Sequence, residues 1–214
     1  MADKPQTSFD VAYEEALDLA RSTFLKKDIT ALCTSAGAAV TDLPGGGRTV
    51  EIPFLNRTAT ITLPECEFSV PSGEPVHVWE KILILHYLLG DNTANLSGTM
   101  INYRRVKDGA TYYATFEKRS IKPLIATFGS NPDLLYGAAQ CLAAEKIDYG
   151  DAGVCIRALP HVPLQIILWK GDDEFAPDGS ILFDETIEQR LSAEDIAVLC
   201  QQVVLRIIRC RKDS

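Results

Sequence analysis

No Cys-x-x-Cys pair occurs in this chain, and its six cysteines, at 33, 66, 141, 155, 200 and 210, stand far apart. That spacing argues against an iron–sulfur or zinc site made by the chain alone, because such ligands come in close pairs. Histidine is scarce too: there are three in 214 residues, and no two form a ligand pair in sequence. Positive charge is in deficit, with 21 Lys and Arg against 29 Asp and Glu. A general nucleic-acid binder needs the opposite balance, since its affinity comes from neutralising phosphates. Docking to anionic membranes is disfavoured on the same ground. No apolar run reaches the roughly 20 residues of a membrane-spanning helix. The polar start Met1-Ala2-Asp3-Lys4-Pro5 lacks the apolar core of a signal peptide. The expectation is a cytoplasmic protein whose cysteines are thiols.

What is present reads as one α+β domain over residues 1–214, with a mixed or antiparallel sheet built from hairpins and helices packed on it. Ala12, Tyr13, Ala16, Leu17, Ala20 and Phe24 recur at threes and fours, which predicts a first helix. Pro44-Gly45-Gly46-Gly47 is not followed by Lys-Ser or Lys-Thr, so it reads as a turn rather than a phosphate loop. Thr49–Phe54 and Arg57–Leu63 alternate around Asn56 as a hairpin, and Cys66–Val70 adds a short strand. Residues 71–75 are an internal loop boundary. Val78 to Leu89 is apolar on nearly every face and should be a buried helix. His86 lies inside it, where a hydrogen-bonded core histidine is the plain reading.

Asp108-Gly109, between Ile101–Val106 and Thr111–Phe116, predicts a second hairpin. Its Tyr103, Tyr112, Tyr113 and Phe116 would interleave with Arg104, Arg105 and Arg119, giving either a solvated edge or a surface for an anion or acidic partner. Val154–Leu159 and Val162–Trp169 form a strand pair. Ser192 caps a last helix with Asp195 three residues on, and Arg206, Arg209 and Arg211 suit the negative end of its dipole.

The apolar run ending at Trp169 hands over to Gly171-Asp172-Asp173-Glu174-Phe175. Three adjacent carboxylates repel one another and call for compensation nearby. Asp172, Asp173 and Asp184 supply the oxygens that a divalent cation takes. Such a site would serve a metal-dependent hydrolase or transferase. The plainer expectation is an exposed acidic loop, with Phe175, Ile181 and Phe183 tucked into the core to hold it.

Several separated pieces carry a resemblance: Ile84-Leu85-His86-Tyr87-Leu88-Leu89, Ser97-Gly98, Arg104, Tyr112-Tyr113, Phe116, Arg119, Trp169-x-Gly171-Asp172-Asp173-Glu174-Phe175, Ile181-Leu182-Phe183-Asp184 and Glu194-Asp195-Ile196. Over Trp79 to Ile208 the chain resembles an uncharacterised domain family of unknown function from anaerobic bacteria and archaea. Some relatives carry an added ferredoxin-type iron–sulfur segment, whose cysteine spacing this chain lacks. The resemblance implies anaerobic redox or one-carbon metabolism and an iron–sulfur protein as a candidate partner. The expected function is a non-catalytic binding domain that engages a cofactor or protein partner through His86, Arg104, Tyr113, Arg119 and Trp169. A tetrapyrrole with His86 as axial ligand is one candidate cofactor, and a divalent cation at the acidic loop is the other. The alternative is the metal-dependent enzyme built on Asp172, Asp173 and Asp184.

Overall fold

The computed structural model describes residues 8–212. Helix α1 (Ser8–Phe24) turns Leu17, Ala20 and Phe24 inward at the expected spacing. In α2 (Ile29–Ser35) the Asp28 side chain accepts from Ala31 N at 3.1 Å and caps the start. A four-stranded antiparallel sheet follows in the order β1 (Ala39–Asp42), β2 (Arg48–Phe54), β3 (Arg57–Leu63) and β4 (Glu67–Ser69). The β2–β3 hairpin turns on Leu55 and Asn56, both left-handed, as a tight two-residue turn requires. Strand β1 has little burial of its own and exists through its pairing with β2.

Helix α3 (Val78–Leu89) buries Ile82, Leu83, Ile84, Leu85, Tyr87 and Leu88. It stops at Gly90, where any Cβ would lie 2.5 Å from the Arg190 carbonyl oxygen. The short strand β5 (Met100–Asn102) comes next, and here the expected hairpin fails. Asp108 does adopt the left-handed conformation that Asp-Gly favours, at φ 63°, but it opens helix α4 (Gly109–Phe116) instead of a strand. The more buried positions Gly109, Tyr113, Phe116 and Ser120 fall at fours and threes, a helical period. Local turn chemistry set the bend; packing set what followed it.

Helices α5 (Lys122–Phe128) and α6 (Leu134–Ala138) lead to β6 (Glu145–Ile147), β7 (Ala152–Leu159), β8 (Val162–Trp169) and β9 (Asp178–Asp184). These build a second sheet in the order β5-β9-β8-β7-β6, with every pairing antiparallel. The central place of β8 explains why Ile166, Ile167 and Leu168 are all buried. After α7 (Ile187–Arg190), the long α8 (Ala193–Lys212) closes the chain, with Ile196, Leu199, Val203 and Ile207 buried. Among the described residues no helix is long and apolar enough to cross a membrane.

The cysteines depart from expectation. Cys141 and Cys210, 69 positions apart, are joined as a disulfide with their Cα atoms 6.6 Å apart. Sequence spacing carries no sign of this bond, because the packing of the α6 region against α8 brings the two together. Cys33, Cys66, Cys155 and Cys200 are free.

Candidate functional site

Asp195 stands in the first turn of α8, and its two carboxylate oxygens are divided between two tasks. Oδ2 accepts from Ser192 Oγ at 2.7 Å and from Ser192 N at 3.2 Å, while Asp195 N donates to Ser192 Oγ at 3.1 Å. This reciprocal cap fixes the carboxylate. Oδ1 is then held 2.8 Å from Nδ1 of His86, 109 positions earlier on α3. The His86 side chain is 37% exposed and that of Asp195 only 11%, so the imidazole reaches solvent from a buried anchor.

The pair borders a cleft of about 280 Å³ whose walls are Ala12, Tyr13 and Ala16 from α1, Trp79 and Leu83 from α3, and Val198 from α8. The lining is mostly apolar, with polar groups gathered at the His86 end. Among the described residues nothing bonds to His86 Nε2. With Nδ1–H given to Asp195, the neutral ring offers its Nε2 lone pair in a fixed direction.

The hydrogen bond to Asp195 raises the His86 pKa, burial opposes this, and the Asp195 and Glu194 charges add to the rise. For Asp195, burial pushes the carboxyl up, but hydrogen bonds from His86 and Ser192 outweigh it and hold the group below its usual value. A histidine raised on folding contributes stability below its unfolded pKa of about 6.5 and loses it as the pH climbs through the folded value. A carboxyl lowered on folding contributes above about 4 and loses it as the pH falls through the folded value. The pair therefore stabilises the fold most between about pH 4 and 6.5. Asp195→Asn should lower the His86 pKa in an NMR titration of its ring protons and cost roughly 1–3 kcal/mol near pH 6. A His86 titration that does not move would mean the two side chains are not paired in solution.

Ser192 completes a set of residue types seen in nucleophilic catalysis, yet the connections differ. A nucleophile must give its proton to the histidine. Here Ser192 Oγ donates to the carboxylate and accepts from the backbone, which is capping.

The other expected site residues lie elsewhere, and none of Arg104, Tyr113, Arg119 and Trp169 lines this cleft. The Arg104 guanidinium sits 3.5 Å from the Tyr113 ring centroid, Arg119 is exposed, and Trp169 meets Tyr149 edge-on at 6.1 Å.

Asp172, Asp173 and Asp184 do not converge. Asp172 Oδ1 accepts from Glu174 N at 2.9 Å and Phe175 N at 2.8 Å, and bonds of this kind hold its pKa down. Asp173 is exposed beside it. Asp184 is buried at the opposite end of β9, accepting from Gly98 N at 2.7 Å and from Thr186 Oγ1 at 2.6 Å. Burial raises its pKa, but these bonds and those from Ser97 leave it lowered. Trp169 pairs with Asp178 at one end of β9 and Met100 with Asp184 at the other, a span of roughly 20 Å at the rise of a strand. Among the described residues no group of three or more His, Cys, Asp or Glu could hold a metal ion. Phe175 is 70% exposed, so it does not anchor the loop; Ile181 and Phe183 do, as part of β9.

In the sequence His86 stands out as a candidate and Asp195 only as a helix cap. The signal was there in part, because both belong to separated pieces of the resemblance. Residues 28–206 match the family model described as "Domain of unknown function (DUF3786)", a span reaching further towards the N-terminus than the resemblance from Trp79. No curated protein and no solved structure matches the chain. Helix α1, which walls one side of the cleft, precedes the matched span.

Proposed function

We propose, from the premise that this chain belongs to the DUF3786 family of domains of unknown function, that it is a non-catalytic binding domain whose site is the His86–Asp195 cleft. The observation that carries this reading is the 2.8 Å bond from His86 to an anchored carboxylate, with Nε2 left unbonded at the edge of an apolar cleft. A lone imidazole cannot hold a bare cation, which needs several ligands. It can complete the coordination of a metal that brings its own equatorial ligands, and the buried carboxylate behind it makes it a stronger donor. That favours a tetrapyrrole over a free divalent ion. At about 280 Å³ the cleft falls just short of the roughly 300–1,000 Å³ that encloses a drug-sized ligand. His86 would hold the metal of such a group, with Tyr13, Leu83 and Val198 offering apolar surface beside it. The cytoplasmic, anaerobic redox or one-carbon setting, with an iron–sulfur protein as a partner, rests on composition and resemblance.

Absorbance titrations with haemin and with cobalamin test the reading. The expected result is a shift of the Soret or corrin bands with one of them, abolished by His86→Ala and weakened about 10–100-fold by Asp195→Asn. No spectral change with either, or a change indifferent to His86→Ala, would end it.

A further inference from the structure

Trp79 lines a second cleft, of about 480 Å³, between the start of α3, the end of the β2–β3 turn and the last turns of α8. Its charged lining is Arg57, Arg206 and Arg209 against Glu74 and Glu80. In a chain of net charge −8, three guanidiniums facing one space are unexpected. The carboxylates are already engaged: Glu80 is ion-paired with Arg57, and Glu74 lies 4.0 Å from the same arginine. Arg206 and Arg209 have no hydrogen bond and no close ion pair with any described residue.

Arg206 is the telling member. It is half-buried at the face of α8, and burial disfavours its charge, with Arg57 opposing it more than either Glu80 or Glu74 supports it. A helix-dipole role explains a cation near a C-terminus, but an exposed position would serve that purpose equally well. It does not explain a guanidinium set into a cleft beside a second one. The start of the 12-residue α3 contributes His77, Trp79 and Glu80 to the same lining.

We propose that this cleft is a binding site for a small oxyanion, the phosphate of a phosphate ester or the carboxylate of a dicarboxylic acid. Arg206 and Arg209 grip it, and Arg57, paired with Glu80, lines the same space. Guanidinium forks match both oxyanions through paired N–H donors, which a lysine could not do. The site is independent of the His86 cleft, although Trp79 borders both.

Calorimetric titration of the full chain at low ionic strength tests it, with inorganic phosphate, diphosphate and succinate against chloride of equal ionic strength. Binding of at least one oxyanion is expected, weakened about tenfold or more by Arg206→Gln and by Arg209→Gln. It should be unchanged by Lys27→Gln, an exposed cation outside the cleft. Arg209 is itself exposed, so its variant should fold even where Arg206→Gln does not. Tighter binding of diphosphate than of succinate assigns a phosphate ester, and the reverse a dicarboxylate. Heats no larger than the chloride control, or binding untouched by the Arg209 variant, would overturn the proposal.

Discussion

Glu80→Ala is expected to lower folding stability by about 3–5 kcal/mol, the cost of removing one partner from a buried ion pair. Glu80 is 2% exposed and is bonded through Oε1 to Arg57, whose own side chain is 17% exposed. Its Oε2 accepts from His77 N at 2.9 Å and so caps α3. The substitution removes both bonds and leaves a largely buried guanidinium whose Nε already lacks an acceptor. Glu80→Gln should cost less, since an amide oxygen can still cap the helix while the charge is gone. Urea unfolding followed by circular dichroism measures both. A loss under about 1 kcal/mol for the alanine variant would mean that the pair behaves as a screened surface bridge. The same substitutions release the positive charge of Arg57 into the oxyanion cleft, so Glu80→Gln should tighten phosphate binding, not weaken it.

Reduction of the Cys141–Cys210 bond is expected to cost about 4 kcal/mol on the loop-closure account, because it frees a loop of this length in the unfolded chain. The relevant span is 69 residues. Thermal melts with and without reductant, and a Cys141→Ser variant in which peptide mapping shows the bond missing, should agree on the loss. Identical melts with the bond present and absent would show that it adds nothing to the fold. Cys210 lies one residue beyond Arg209 and lines the oxyanion cleft, so reduction should also loosen the turn of α8 that carries Arg206 and Arg209. A bond of this kind is uncommon in a reducing cytoplasm.

The elements that were legible are those whose signal is local. Val78–Leu89 declared itself by apolar residues on every face, the β2–β3 hairpin by alternation around Asn56, and α8 by Ser192 and its threes and fours. Asp108-Gly109 was legible as a left-handed bend but not as a helix start. That choice is decided by packing, which buries Gly109, Phe116 and Ser120 on one helical face. Gly109 stands so close to Tyr103 that a Cβ would lie 2.0 Å from its carbonyl oxygen. Strand β9 was missed because its residues form a strand only with β8 and β5 on either side to take up their backbone hydrogen bonds.

By itself the sequence determined an α+β class, an acidic chain, His86 on a buried helix and a capped last helix, because each is a matter of composition or of period along one element. Only the tertiary structure decided which charges face one another. It set Asp195 against His86, gathered Arg57, Arg206 and Arg209 around one cleft, joined Cys141 to Cys210, and put Asp184 a strand's length away from Asp172. The physical reason is that side-chain chemistry acts over a few ångströms, and distance along a chain fixes distance in space only within a single helix or strand.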